Sequence, residues 1–247
     1  LLAAGITSFG PTKAAARLEW SKAFAKEFMA RHGIPTAASQ IFSDAEAARA
    51  YMETLPLPVV IKADGLALGK GVVIAESRQE AAKALTDFMS GARFGESGKT
   101  VVIEEFLTGP EVSIHAFCDG KTVKLFPVSR DHKRVFDGNT GPNTGGMGTI
   151  APVPGLPEGF LEEVREKIVL PVIEGMLAEG NPFSGVLYPG LMPTAEGAKV
   201  IEFNARFGDP ECESYMRLLE SDLVDILLAC ADGILDRAPV AWSRDSA

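Results

Sequence analysis

Two apolar runs, Val59-Val60-Ile61 and Val72-Val73-Ile74, bracket the segment Lys62-Ala63-Asp64-Gly65-Leu66-Ala67-Leu68-Gly69-Lys70-Gly71. Short β-branched runs bounded by glycine read as strands, so the unit is strand, loop, strand. Dinucleotide-binding α/β folds place their glycine loop between a strand and a helix, and that order is excluded here. A Walker A loop is excluded too, because three residues separate Gly65 from Gly69 and Gly71 stands where Ser or Thr should follow the lysine. Anion binding survives both exclusions. Gly65, Gly69 and Gly71 let backbone N–H groups approach a phosphate, and Lys62 and Lys70 supply charge. A plain hairpin turn would use the same residues.

A second segment, Val200-Ile201-Glu202-Phe203-Asn204-Ala205-Arg206-Phe207-Gly208-Asp209-Pro210-Glu211, begins as an apolar strand and then admits polar groups. Such groups are costly in a buried strand unless they are partnered. Side chains two apart share a face, so Glu202 and Asn204 point the same way. A carboxylate and an amide oxygen side by side suit a hard cation such as Mg²⁺, and Arg206 beyond them suits a phosphoryl or acyl oxygen. The bland alternative is a strand end with a structural Glu–Arg pair.

Two further groups carry chemistry. Glu104-Glu105-Phe106-Leu107 follows the apolar Val101-Val102-Ile103, with Glu111 opening the next strand; it reads as a nucleobase and ribose contact or as a solvated acidic connection. Asp131-His132-Lys133-Arg134 beside Gly141-Pro142-Asn143-Thr144-Gly145-Gly146-Met147-Gly148 reads as a second anion site or a solvated basic turn. His115 lies in an alternating strand as a core or cross-strand residue, and His32 ends a helix. No nucleophile triad and no zinc spacing is present.

The chain has 247 residues, 46% hydrophobic and 23% charged, enough for one large domain or two intimate ones. Its net charge of −9 argues against nonspecific nucleic-acid binding, though not against a nucleotide. The three cysteines have no metal spacing and suit a reducing compartment. No run is long enough to span a membrane, the first residues do not read as a signal peptide, and the missing initiator Met suggests a piece of a larger protein.

Periodicity predicts helix from Ala14 to Met29, with Pro11 in the first turn and Ser21 as a second cap, and helices at Ser43–Leu55 and Ser77–Met89. It also predicts a hairpin over Glu111–Val128 and a long loop over 137–149. Pro157–Glu179 reads as a helix kinked at Pro171, Gly185–Met192 with Lys199–Phe203 as a hairpin, and Leu218–Ile234 as a closing helix capped at Ser221 or Asp222. The order suggests two lobes with a crevice between them.

Together these segments resemble the ATP-grasp carboxylate–amine ligases, and more narrowly the glycinamide ribonucleotide synthetase (phosphoribosylamine–glycine ligase) family. Gly10-Pro11-Thr12, Ser21-Lys22-Ala23-Phe24, Ile61 to Val72 and Ile103 to Leu107 carry the general likeness. Asp131 to Arg134 with Thr140 to Gly148, and Phe203 to Glu211, carry the narrower one, over essentially the whole chain.

The resemblance implies an α+β ATP-grasp fold: an N-terminal helical segment (1–39), a small αβ lid subdomain (40–109) and a large antiparallel-sheet subdomain (110–247), with the nucleotide between the lobes. It implies Lys22 and Lys62 on the ATP phosphates and Gly65, Gly69, Lys70 and Gly71 in the lid loop. Glu104, Glu105 and Leu107 fall at the adenine, Glu111 at the ribose, and Glu202 and Asn204 on Mg²⁺ or Mn²⁺. Arg206 and Lys133 would be catalytic, with Asp131, Arg134, Asn143 and Asp209 facing glycine and phosphoribosylamine. No acid lies on Val186–Met192, where many relatives carry another metal ligand. A cytoplasmic enzyme of purine biosynthesis with flanking N- and C-terminal domains, working through an acyl phosphate, is the implied whole. Another ATP-grasp ligase or an idle nucleotide-binding module are the alternatives.

Overall fold

The computed structural model describes residues 4–65, 71–90, 98–138 and 140–247. Helices α1 (Arg17–Trp20) and α2 (Lys22–Arg31) open it. Pro11 precedes the first helix, because the chain turns before Arg17. Extended Ser21 breaks the run and caps α2, accepting from the Phe24 N–H at 3.1 Å.

The next elements are β1 (Ser39–Phe42), α3 (Ala45–Thr54), β2 (Val59–Ala63), β3 (Val72–Ala75), α4 (Arg78–Met89) and β4 (Val101–Glu105). They form an antiparallel sheet in the order β1-β4-β2-β3. Asp44 and Ser77 cap the two helices through the N–H groups of Ala47 and Glu80. Alternate residues Val59, Ile61, Ala63, Val101 and Ile103 pack against Met52, Leu85 and Phe88. The opposite face of the same strands carries Lys62 and Glu104, both buried. β2 and β3 pair as the predicted hairpin, with Lys62 opposite Val72.

The second sheet uses β5 (Val112–Ser113), β6 (Ala116–Asp119) and β7 (Val123–Leu125). The short strands β8 (Arg130–Asp131), β9 (Arg134–Phe136), β10 (Thr140–Asn143) and β11 (Thr149–Ile150) come next, followed by α5 (Phe160–Val164) and α6 (Leu170–Ala178). The long strands β12 (Ser184–Thr194) and β13 (Gly197–Asn204) then lead into α7 (Glu211–Leu218) and α8 (Leu223–Ala231). The order is β13-β12-β6-β7, with β5 also on β12. One face packs on α1, α2 and α6 through Leu18, Phe28, Ile173, Leu187 and Val200; the other packs on α7 and α8 through Phe117, Val186, Tyr215 and Ile226. Each fully buried large apolar side chain contributes roughly 1.5–3 kcal/mol relative to exposure.

Three expectations are corrected. The stretch 137–149 is partly strand: β10 pairs with β9, and β11 pairs with β8. These strands are short and partly exposed, so no apolar alternation marks them. The 157–179 helix is interrupted by a π-helical turn over Arg165–Val169 rather than a proline kink, and Pro171, lacking an N–H, sits in the first turn of α6. The closing helix is shorter than expected, Leu223–Ala231 (α8), with Asp222 capping it by accepting from the Val224 and Asp225 N–H groups, and α7 is a separate, unexpected helix before it. Among the described residues no helix is long and apolar enough to cross a membrane.

A bulge in β13 sets up everything that follows. Leu191 pairs with Val200 while Gly190 pairs with Glu202, so Ile201 is the extra residue. In regular alternation, Ala198, Val200, Glu202 and Asn204 would share the core face. The bulge flips the phase: Ala198, Val200 and Phe203 are buried, and Glu202 and Asn204 turn the other way.

Candidate active site

The Asp64 carboxylate joins the β2–β3 loop to the start of α2. Its Oδ1 accepts from the Ala23 N–H at 3.0 Å and its Oδ2 from the Ser21 hydroxyl at 3.3 Å, an anion placed at the positive end of a helix. Lys22 is thereby held beside the loop and donates to the Gly65 carbonyl at 3.1 Å. Burial lowers its pKa; Glu202 opposes that and Lys62 adds to it. One helical turn on, Lys26 shares its face. Lys62 projects from β2 and donates to the Ile201 carbonyl, freed by the bulge, at 2.9 Å. The buried Glu104 carboxylate lies between these amines, 3.2 Å from Lys26 and 3.1 Å from Lys62. A cavity of about 20 Å³, room for a water molecule, is lined by Lys22, Lys26, Lys62, Glu104 and Glu202 among others.

Beyond the cavity Glu202 stands over Gly190. A Cβ there would lie 3.8 Å from both Glu202 Cγ and Glu111 Oε1. Glu111 is ion-paired with Lys133. Burial opposes charge on Lys133, but Glu111 outweighs it and the amine's pKa is raised, with Glu202 contributing. Glu202 makes no side-chain hydrogen bond or ion pair among the described residues. Arg206 donates to Asn204 Oδ1 at 3.1 Å and to Glu19 of α1 at 3.1 Å. The donor set suits one hard cation completed by phosphate or water oxygens: a carboxylate with no hydrogen bond or ion pair among the described residues and an amide oxygen on the same face. No group of three or more His, Cys, Asp or Glu side chains forms a metal cage among the described residues.

Asp131 lies close by. Its Oδ1 is buried with no hydrogen bond among the described residues, and burial, reinforced by Glu211 and Glu111, raises its pKa to about 6. Arg134 is exposed and donates to the Gly141 carbonyl at 2.6 Å. Asp209 is exposed in the loop after β13, preceding a cis bond to Pro210.

Beneath that loop runs a buried polar network. Gly208 N–H donates to His115 Nε2 at 3.1 Å, and His115 Nδ1 lies 3.0 Å from the Tyr215 hydroxyl, itself 2.6 Å from Ser129 Oγ. Because Nε2 accepts, Nδ1 carries the proton, and burial with Arg206 nearby pulls the His115 pKa down to about 3. The Tyr188 and Ser113 hydroxyls donate to Glu211 Oε1 at 2.6 and 3.2 Å. His115 is thus a satisfied core residue, although it lies between β5 and β6 rather than within a strand.

The structure brings Lys22, Lys62, Gly65, Glu104, Glu111, Lys133, Asp131, Glu202, Asn204 and Arg206 to one region between the two sheets. Gly71 closes the loop, its carbonyl accepting from Ala63 at 2.8 Å. Gly69, Lys70 and the side chain of Asn143 lie outside the described residues. Glu105 accepts from the Ala38 N–H at 3.0 Å and lies 3.5 Å from Lys199, tying β4 to β13. Leu107 follows in the connection to β5. Gly109 there has φ +150°, and a Cβ would meet the Pro193 carbonyl at 2.8 Å, so only glycine lets this connection cross so close to β12.

Sequence reasoning missed Glu19, Lys26, Asp64, Glu211 and the Tyr188–Tyr215 pair. Only Lys26 left a signal, its spacing of four from Lys22; the others acquire roles through contacts distant in sequence.

The family model described as "Phosphoribosylglycinamide synthetase, ATP-grasp (A) domain" matches residues 20–212. The chain is 55% identical over 248 aligned residues to the phosphoribosylamine–glycine ligase of Caulobacter vibrioides, covering 100% of this chain and 58% of that protein. Against the enzyme of the same name from Streptococcus pyogenes serotype M1, identity is 53%, with 98% and 57% covered. The crystal structure of phosphoribosylamine–glycine ligase from Thermotoga maritima superposes with a TM-score of 0.86 at 39% identity, covering 91% of this chain and 57% of that one. A biotin carboxylase from Campylobacter jejuni shares the fold, with a TM-score of 0.77 at 20% identity over 98% of this chain and 52% of that one. The fold is therefore the α+β ATP-grasp fold, and the chain spans somewhat under three-fifths of the length of the curated relatives it matches.

Proposed function

The chain belongs to the phosphoribosylglycinamide synthetase ATP-grasp family, and on that premise we propose that it is the ATP-grasp portion of a phosphoribosylamine–glycine ligase. The reaction joins glycine to 5-phosphoribosylamine and yields glycinamide ribonucleotide, ADP and phosphate, a step of purine biosynthesis. The observation that carries this reading is the convergence of Lys22, Lys62 and Glu202 on one cavity between the sheets.

A carboxylate is a poor acyl donor because its leaving group would be oxide. A glycine carboxylate oxygen attacks the γ-phosphorus; the new P–O bond forms as the bond to the β-phosphate oxygen breaks, releasing ADP. The phosphoribosylamine nitrogen then attacks the acyl carbon, phosphate leaves, and the nitrogen loses a proton. Neither step needs a protein nucleophile, so positioning and charge compensation do the catalysis. Lys22 and Lys62 hold the phosphates, and Arg206 and Lys133 offset charge at the acyl phosphate. Glu202 and Asn204 are the residues that would hold Mg²⁺ or Mn²⁺, which would neutralise phosphate charge when bound.

Asp131, Arg134, Asn143 and Asp209 face the glycine and amine side. Glu105 and Leu107, with the Glu104 backbone, line the adenine, and Glu111 reaches the ribose. The loop from Gly65 through Gly69 and Lys70 to Gly71 acts as a lid that keeps water from the acyl phosphate. In this reading residues 40–109 are the lid subdomain, 110–247 the large subdomain and 1–39 the segment leading into them. The full-length protein adds flanking domains and works in the cytoplasm, where the unpaired Cys118, Cys212 and Cys230 remain reduced. ADP release from the full-length protein, scored against a panel of acids and amines, tests the assignment. Sustained, multiple-turnover release should require glycine and phosphoribosylamine together; equal release with D-alanine or bicarbonate and no need for glycine would overturn it.

A further inference from the structure

We propose that Lys26 is a positioning residue for the nucleotide site: it neutralises Glu104 from one side so that Lys62 can give its charge to a phosphate. The inference rests on the reading of Lys62 as a phosphate ligand. Lys26 is only 6% exposed, and lysines are almost never buried so deeply without a partner. Its ammonium has three N–H donors and three acceptors: Thr36 Oγ1 at 2.8 Å, the Ala37 carbonyl at 3.3 Å and Glu104 Oε2 at 3.2 Å. With two donors in hydrogen bonds and its charge paired to Glu104, Lys26 has little left to offer a ligand, although it lines the same cavity as Lys22 and Lys62.

Lys62 is less committed. Among the described residues it has the Ile201 carbonyl at 2.9 Å and Glu104 Oε1 at 3.1 Å, and that carboxylate oxygen has no aligned hydrogen bond. Both lysines meet Glu104 as ion pairs, but Lys26 is anchored by two hydrogen bonds of its own and Lys62 by one. Thr36 supplies the anchor, since its hydroxyl donates in turn to the Val200 carbonyl of β13 at 2.7 Å. Lys26 thus ties Glu104 on β4 to the strand that carries Glu202.

The consequence follows from the cost of burying charge. A buried carboxylate that loses its only cation is strongly destabilised. Were Lys62 the sole partner of Glu104, every phosphate it gripped would leave that carboxylate uncompensated. With Lys26 fixed on Oε2, Lys62 can turn its free N–H and much of its field toward the ligand while Glu104 stays paired.

The test is a double-substitution cycle in the full-length enzyme, reading KM for ATP and kcat by ADP release. Lys26→Met should raise KM for ATP tenfold or more with kcat within threefold, because Glu104 then competes with the phosphate for Lys62. The same substitution made on Glu104→Gln should change KM less than twofold, since the competing charge is gone. No effect on the native background, or an equal effect on both, overturns the inference. If Lys26→Met alone does not accumulate as folded protein, the pair carrying Glu104→Gln decides: a tenfold rise there overturns it. Lys62→Ala is the control for the underlying reading. If KM for ATP is unchanged in Lys62→Ala, the phosphate assignment itself fails; if it rises there but not in Lys26→Met, only the role of Lys26 fails.

Discussion

Substituting Gly208 by alanine probes the support beneath the Arg206–Asp209 loop. Gly208 is not in the left-handed φ range that only glycine favours, so the effect arises from space. A Cβ built there would overlap Glu211 Oε2 and lie 2.8 Å from both Glu211 Cδ and His115 Nε2. None of these groups is a free chain end: Glu211 is 2% and His115 0% exposed, and both are hydrogen-bonded. Overpacking costs about 1–3 kcal/mol. Displacing Glu211 weakens hydrogen bonds to a charged group, for about 1.5–3 kcal/mol more. The sum, roughly 2.5–6 kcal/mol, corresponds to a Tm loss on the order of 5–20 °C for a domain of this size.

Differential scanning calorimetry reads it directly. Gly145, with open space around its Cβ position and no positive φ, is the control, and Gly145→Ala should shift Tm by less than about 2 °C, in the range of surface substitutions. If Gly208→Ala melts within that same margin of the parent, the packing argument is wrong. Where enough folded protein remains, kcat should fall as well, because the displaced loop carries Arg206.

Three further outcomes are expected. Lys62→Ala removes one charge-assisted phosphate contact, worth about 1.5–3 kcal/mol, so calorimetry should find ATP binding roughly ten- to a hundredfold weaker; unchanged affinity takes Lys62 out of the site. Glu202→Ala should cut ADP formation on the order of a hundredfold or more, a loss of several kcal/mol of charge stabilisation, while circular dichroism stays native; undiminished turnover defeats the metal assignment. Asp131 has a folded pKa raised to about 6 from 3.8, so between those values the folded state binds more protons than the unfolded one and stability falls as pH rises. Its ionised form is a cost that is fully present above about pH 6 and relieved as pH drops toward 3.8. Asp131→Asn should therefore raise Tm at pH 7.5 by about 2–4 °C, on the order of 1 kcal/mol, and the gain should shrink at pH 5; an equal shift at both values contradicts the assignment.

Much of the candidate site could be picked out from the sequence, and the particular residues show why. Lys62 follows three apolar strand residues and Glu202 interrupts an apolar run; both are charges where burial makes charge expensive, so the sequence itself flags them. The β2–β3 hairpin, the caps at Ser21, Asp44 and Ser77, and the pairing of β12 with β13 rest on local signals of periodicity and turn chemistry. The strands within 130–150 escaped because they are held by backbone pairing and carry no apolar alternation. Helix α7 escaped because its buried face carries Glu211 and Ser214 beside Tyr215 and Leu218, which is no apolar stripe.

Local pattern determined that Glu202 and Asn204 share a side, since residues two apart in any strand do. Which side they take was a tertiary decision. The extra residue at Ile201 arises because β12 and β13 must bury Ala198, Val200 and Phe203 on one core, and positions 200 and 203 cannot face the same way without a bulge. That bulge turns the carboxylate and amide toward the lysines and releases the Ile201 carbonyl to Lys62. Lys26, Asp64 and Glu211 owe their roles to partners dozens of residues away, a proximity that packing creates and that no local stretch of chain encodes.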